Sequence, residues 1–557
     1  MRPPRLPSGL TPAWRTRRVR AGVAALLLAV CLTASLGRAV AQTTLDGADQ
    51  AAGTAAPDAG GFDPALSASV IGAGLRFMLP RTLEPYTAAQ LALWGLNGLT
   101  AIDPSLLVSQ QGGALRLTQG RLTLFVGPAP AAGDIEGWAR SASAMAARAY
   151  GGSPTVRAAG AQAMLQSFFD EMFNHMDPYS RYVPPEPADA ERDRRTGGAA
   201  SAGISLVDGD RYPTISDVNA NGPAWAAGVS AGWSVIEVDG RSTRGQPAAV
   251  VEGWMRGTAG TPLSLTLRGA RGRQAGRSEG RSETRSVSLQ RASVPPETVF
   301  AFRNDNILIL RITGFAGDTA QEVSEFLDEA THQGSAKLKG VIIDLRGNRG
   351  GVLQQAVTTV ALLLDRGVAV ITRGRDPEAN HVWSVAGGDL TDGAPIAILV
   401  DGRTASAAEV MAAALADQRR AVVIGSATLG KGLVQTIGQM PDGGELFVTW
   451  SRMLAPQGWP LQGLGVLPEI CTAGGADQIA NQMAALGGGH DLLEDALVEW
   501  RRSRAPLPSS RVLDLRANCP AAIGTDADLE VARTLVGDPT RYHAALVPPQ
   551  DPNAPPE

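Results

Sequence analysis

Between about residue 300 and residue 470 the chain alternates short apolar runs with segments of helical spacing. NILILRI, GVIIDLRG, APIAILVDG and AVVIGSA read as strands, and TAQEVSEFLDEA, VLQQAVTTVALLLD and ASAAEVMAAALADQ read as the helices between them. Short apolar strands alternating with helices in this way predict a mostly parallel sheet with helices above and below. Such a sheet binds ligands beyond the carboxyl ends of its strands. The fold class expected is α/β for this region, within a larger α+β multidomain chain.

Three loops leave the predicted strands at that carboxyl edge. Asn348-Arg349-Gly350-Gly351 follows GVIIDLRG, Asp401 to Ser406 follows APIAILV, and Ser426 to Lys431 follows AVVIG. If the crossovers are right-handed and the strands adjacent, a hydroxyl, an amine and exposed glycine backbone meet on one rim. Ser406 would then sit at a helix N-terminus, where free backbone N–H groups could stabilise an acyl-transfer oxyanion. A serine hydroxyl needs an adjacent base. A bland alternative treats Ser406 as an ordinary N-cap, Gly350-Gly351 as a tight turn and Gln435 as a polar strand residue.

Lysine usage decides between them. Of fifty Lys and Arg residues only Lys337, Lys339 and Lys431 are lysines. Arginine stays charged in a protein, whereas a buried lysine can lose its proton and act as a base. Lys337 and Lys339 share a polar turn, but Lys431 lies in the glycine-bracketed TLGKGLVQ. Gln435, four residues on, could hold the amine without adding charge. The same loop matches the start of a phosphate-binding loop, G-x-x-x-x-G-K, but Gly432 replaces the magnesium-binding Ser or Thr and LVQTIG reads as a strand. Gly276-Arg-Ser-Glu-Gly280 matches an esterase elbow only by chance, inside an Arg-rich hairpin loop. The five histidines show no ligand spacing, and a Ser-His enzyme would need His332 or His381 brought to Ser406. No metal or cofactor is expected.

The first 41 residues hold seven arginines and no acid around the apolar AGVAALLLAVCLTASLG, ending in Ala39-Val40-Ala41. This is the pattern of an export signal, with an uncleaved membrane anchor as the alternative. Removing it takes the net charge from −4 to −11, which argues against nucleic-acid binding. It also leaves Cys471 and Cys519 as an even pair, either a disulfide or two buried thiols. The expected outcome is export from the cytoplasm.

Elsewhere, LNGLTAIDPS and DEMFNHMDPYS both read as helices stopped by Asp-Pro, at Asp103 and Asp177, either a duplication or two unrelated stops. Residues 42–62 read as a flexible lead. From about 197 to 292 the runs AGISLV, YPTISDV, WSVIEVDG, PLSLTL and SVSLQR predict a small β-rich module with one or two helices, and its long Arg-rich loop reads as solvated.

In this order the motifs resemble the C-terminal processing peptidases, or tail-specific proteases, over roughly residues 160–472. MDPYSRY is similar to the family's entry motif, ANGPAWAAGVSAGWSVIEVDG to its PDZ stretch, and DLRGNRGG, TASAAE, TLGKGLVQ and GVLPEI to its core motifs. The resemblance implies a βαβ peptidase core of ClpP/crotonase-like type with an inserted PDZ domain and helical N-terminal segments. It implies Ser406 as nucleophile, Lys431 as base at the family's 25-residue separation, Gln435 as third catalytic residue, and oxyanion donors on Ala407 and Gly350. Thr404 and Ala408 replace the family's outer serines, and the PDZ carboxylate loop is altered to Ser201-Ala202-Gly203-Ile204.

The expected division is a signal over 1–41, an N-terminal region over 42–130, a helical segment over 131–190, PDZ over 191–292, peptidase core over 293–475 and a C-terminal extension over 476–557. The implied function is a secreted serine endopeptidase that binds apolar C-terminal tails of protein substrates, with an adaptor or lipoprotein and a homo-oligomer as further partners. A non-catalytic PDZ scaffold or chaperone is the rival. Residues 42–130 and the tail after 475 match no family motif and read as oligomerisation or docking parts.

Overall fold

The computed structural model describes residues 61–195, 200–219, 222–269, 284–293, 297–332 and 337–546. The export signal, most of the flexible lead and the Gly276–Gly280 motif lie outside the described residues. Among the described residues no helix is long and apolar enough to cross a membrane.

The βαβ region forms a six-stranded sheet in the order Val299–Asn304, Ile307–Ile312, Gly340–Asp344, Ile396–Val400, Ala421–Gly425, Ile470–Cys471. The first pair is antiparallel and every later pair parallel. Side chains alternate across a strand, so Val341, Ile343, Ile396 and Ile398 face one layer while Ile342, Ala397 and Leu399 face the other. The first layer is closed by helices Thr319–His332, Leu353–Ala361 and Ala407–Asp417.

The second layer comes from the chain's end. Leu486, Val531, Leu535, Val536 and Tyr542 pack on Ile342, Leu399, Val422 and Ile424. Each buried aliphatic side chain on that face contributes about 1.5–3 kcal/mol, so the sheet could not stay in water without this cover. Residues 476–546, expected to serve oligomerisation or docking, thus complete the core of this same chain. Cys471 and Cys519 form a disulfide that ties the segment to the last strand.

A second, antiparallel sheet runs His381–Ala386, Arg366–Arg373, Glu445–Leu454, Leu433–Gln439, with Arg181–Val183 also paired to Glu445–Leu454. LVQTIG is therefore a strand, as it reads in the sequence.

Residues 64–173 form helices and a three-stranded antiparallel sheet. Local signals set the helix starts: Asp63 accepts from the N–H groups of Ala65 and Leu66, Asp134 from Gly137, and Ser153 from Val156 with Pro154 in the first turn. Leu106, Leu117, Trp138, Phe169 and Met172 share one core that extends to Leu446 and Val448 of the second sheet. The expected boundary at 130 falls inside that core.

The β-rich module is a separate antiparallel sheet ordered Thr284–Gln290, Pro262–Arg268, Ser234–Val238, Thr214–Val218, Ile204–Val207, with helices Pro223–Ala226 and Ala248–Met255 and its own apolar cluster.

Candidate active site

Ser406 stands at the N-terminus of helix Ala407–Asp417 with φ 58° and ψ −121°. A non-glycine residue held there costs on the order of 1–3 kcal/mol, which the surroundings must offset. The offset is visible: its N–H donates to Glu409 Oε2 at 2.7 Å, one arm of a capping box whose other arm brings the Ser406 side chain to the Glu409 N–H.

Glu409 is fully buried and joins two loops. Its Oε2 also accepts from the N–H of Lys431 at 2.9 Å, and its Oε1 accepts from Gly430 N–H at 2.6 Å and from the Thr428 hydroxyl at 2.5 Å. One oxygen therefore holds the backbone of both Ser406 and Lys431. Burial pushes the Glu409 carboxyl above its ordinary range, opposed by those four bonds. Sequence reasoning passed over this residue. Its signal is a lone acid in the first turn of the otherwise apolar AAEVMAAALA.

Lys431 is half-buried, with its amine 5.0 Å from the centroid of the Tyr179 ring. Burial holds its pKa below the ordinary lysine value, the like charge of Arg181 adds to that, and Glu409 opposes both. Tyr179 and Arg181 belong to MDPYSRY, so this motif supplies one wall around the amine. Asp177 shapes the wall by accepting from the N–H groups of Tyr179 and Ser180 and from the Ser180 hydroxyl. Asp103 makes the matching turn with Ser105 far from the site.

Gln435 is placed near this wall but is engaged differently from the expectation. Its Nε2 donates to Thr449 Oγ1 at 3.1 Å, and that hydroxyl donates to Asp177 Oδ1 at 2.7 Å. Neither Gln435 nor Ser406 is hydrogen-bonded to the Lys431 amine.

The glycine pair packs against the serine. Gly350 has φ 95°, and a β-carbon there would lie 2.8 Å from Ser406 Cβ and 2.9 Å from both Ala405 O and Ala407 N. Only glycine allows that approach. Its N–H, however, donates to Asn348 Oδ1 at 2.8 Å, which counts against Gly350 as the free oxyanion donor the resemblance implies. Gly351 and Ala407 have N–H groups with no partner among the described residues. Asn348 is itself fixed by Nδ2 to Ile312 O and by its carbonyl to Ala405 N–H. The Asp344 and Arg346 side chains of DLRGNRGG bind each other, Arg311 and Asp528, and so anchor the loop rather than line the site.

His332 lies exposed beside Asp328 and His381 packs on Trp383, each engaged away from the serine.

In the β-rich module, Ser201 bridges Ala292, and its hydroxyl accepts from the Gly203 N–H at 3.2 Å. Ala202 O accepts from Ala224 N–H, and Ile204 opens an edge strand. The Leu206 N–H of that strand donates to Glu252 Oε1 at 2.8 Å, and Asp208 Oδ1 accepts from Ala248 N–H at 2.7 Å. Helix Ala248–Met255 is thus stapled to the edge.

A parallel sheet with Ser406, Lys431 and the glycine pair on loops at its carboxyl edge suits a peptidase of the serine type. Residues 306–472 match peptidase family S41. The chain is 32% identical over 311 residues to the carboxy-terminal-processing protease of Bartonella bacilliformis, covering 56% of this chain and 69% of that protein. It is 31% identical to the carboxy-terminal processing protease CtpA of Bacillus subtilis, covering 53% and 60%. The solved photosystem II D1 C-terminal processing protease aligns at 24% identity and TM-score 0.34, covering 68% of this chain and 92% of that one. The chain belongs to peptidase family S41, among its C-terminal processing proteases.

Proposed function

We propose that the chain is an exported serine endopeptidase that cleaves proteins by an acyl-enzyme route at Ser406. The observation that carries the reading is Glu409, whose single Oε2 holds the backbones of Ser406 and Lys431 while the half-buried lysine amine lies over the Tyr179 ring. Neutral Lys431 takes the Ser406 proton as Oγ attacks the scissile carbonyl. The N–H groups of Ala407 and of the Gly350-Gly351 pair, with Gly351 favoured, receive the oxyanion. Lys431 then gives the proton to the leaving amine, and water hydrolyses the acyl-serine by the same steps. For this the amine has to turn from the Tyr179 face toward the serine oxygen. Gln435 orients the amine in that second position.

In this reading residues 293–475 are a ClpP/crotonase-like core and 191–292 a PDZ domain. An apolar substrate tail adds to edge strand Ile204–Val207, with its carboxylate near residues 201–204. The protein is periplasmic, released by cleavage after Ala41.

The test compares wild type with Ser406→Ala, Lys431→Ala and Lys431→Arg on an unfolded protein with an apolar C-terminus. Cleavage is expected from wild type alone. Wild-type rates in any variant defeat the mechanism, and tail binding without cleavage by the wild type favours the scaffold. Lys431→Arg is the sharpest arm because it keeps the charge and removes only the neutral state.

A further inference from the structure

Behind the exits of the serine loop and the lysine loop runs one C-terminal segment, residues 516–525, beyond the span that matches the family. Ala522 O accepts from Gly402 N–H at 2.8 Å and from the Ser426 hydroxyl at 2.9 Å, and Ala522 N–H donates back to Ser426 Oγ at 3.0 Å. Arg516 Nη2 donates to Thr428 O at 2.8 Å, and Nη1 donates to Leu464 O at 2.5 Å. The guanidinium thus pins the lysine loop to the neighbouring 460–467 loop.

Thr428 is the link to chemistry. Its carbonyl is held by Arg516, its N–H by Val466 O, and its hydroxyl donates to Glu409, which in turn holds Ser406 and Lys431. The segment is anchored by Cys519, bonded to Cys471 on the strand that pairs with Gly425. Both cysteines are fully buried, so the bond is a fixed clip and not a site for exchange with solvent thiols.

We propose that Arg516, clipped in place by the Cys471–Cys519 bond, is a positioning residue that sets the Lys431 loop against Glu409 and Ser406. It touches no reacting atom. It acts by removing the freedom of Thr428, and the proposal rests on the Ser406–Lys431 reading. A loop released at Thr428 keeps its substrate contacts but presents the amine in productive geometry less often, so kcat falls and KM does not.

The experiment uses the full chain and four variants: Arg516→Met, which keeps the aliphatic stem, Arg516→Lys, which can reach one carbonyl, Cys471→Ser/Cys519→Ser, and the combination of Arg516→Met with the cysteine pair. The readouts are kcat and KM on a tailed unfolded substrate, the rate of Ser406 labelling by a fluorophosphonate, and the thermal transition. Arg516→Met should lower kcat and labelling about 10- to 100-fold with KM changed less than about twofold, and Arg516→Lys should recover part of it. The cysteine pair should show the same split, and the combination should lose little more than Arg516→Met alone, because both remove one restraint.

A folded Arg516→Met with kcat within about twofold of wild type overturns the proposal, as does full multiplicative loss in the combination. If Arg516→Met does not fold, Arg516→Lys and the cysteine pair decide on the same criteria. A wild type that neither cleaves nor labels overturns the peptidase reading itself, a result separate from any effect at Arg516.

Discussion

Replacing Glu409 by glutamine should disable the site while leaving the side-chain shape intact. The carboxylate accepts four hydrogen bonds, two on each oxygen, from Thr428, Gly430, Ser406 and Lys431. A glutamine has one acceptor oxygen and one NH2: facing Ser406 and Lys431 the NH2 opposes two donors, and facing Thr428 and Gly430 it opposes the Gly430 N–H and forces the Thr428 hydroxyl to accept, so two of the four bonds to the carboxylate are lost either way. Bonds to a charged acceptor are worth about 1.5–3 kcal/mol each, giving a gross loss of about 3–6 kcal/mol. Relief from burying a charge offsets part of this. If about 3 kcal/mol of the remainder falls on alignment of Ser406 and Lys431, kcat drops about 100-fold.

The pH profile adds a sign. Glu409 favours the ammonium form of Lys431, so its neutralisation lowers the lysine pKa further. The base is then neutral at lower pH, and the acid limb of kcat moves to lower pH even as the plateau falls. The assay is steady-state cleavage of a tailed substrate from pH 5 to 10, with circular dichroism to confirm folding. A folded variant whose plateau stays within about threefold of wild type, or whose acid limb moves to higher pH, would refute the argument.

Three further outcomes are expected. Gly350→Ala places a β-carbon 2.8 Å from Ser406 Cβ at φ 95°, and with the Ala405 and Ala407 backbone in the way nothing flexible can yield. Ser406 labelling should fall at least about 100-fold, and near-wild-type labelling would show the loop is slack. Asp417 and Glu469 share the buried Arg501, and burial pushes Glu469 up to about 7 and Asp417 up to about 6. Because the folded values are raised, the stability tied to these protons is present below the unfolded carboxylate range and lost as pH rises through 6 to 7. For Glu469 this is about 3 kcal/mol, so the melting temperature should fall from pH 5 to pH 8, and Glu469→Gln should flatten that fall. Glu252→Ala frees the Leu206 N–H on the edge strand, so an apolar tail peptide should bind more tightly, by about 1 kcal/mol or fivefold in a fluorescence titration. Weaker binding would place the tail elsewhere.

Much of this protein is legible without coordinates. The parallel sheet follows from short apolar strands alternating with helical segments, because each crossover helix covers a face of the sheet and leaves its strands little polar side to show. Lys431 stands out because arginine is used nearly everywhere else, and its loop, the Ser406 loop and the glycine pair fall at strand ends where the topology gathers them.

Other features depend on contacts that sequence spacing does not encode. Asp177 reaches Thr449 across 272 positions and brings Tyr179 and Arg181 to the lysine. The Gly350 N–H is turned to Asn348, Gln435 to Thr449, and Leu206 to Glu252, each a choice of hydrogen-bond partner made after the backbone is placed. The tail beyond residue 475 carries amphipathic helices with no sign of which surface they cover. Only the assembled sheet, with Leu399 and Ile424 facing away from helix Ala407–Asp417, shows that the missing layer is this segment. Sequence by itself determined the sheet and the loops at its carboxyl edge, and singled out Ser406 and Lys431 on them, because local periodicity and residue chemistry fix those. Tertiary structure decided that Glu409 joins the two loops and that Arg516 backs them, because one buried carboxylate can meet four donors only where distant segments converge.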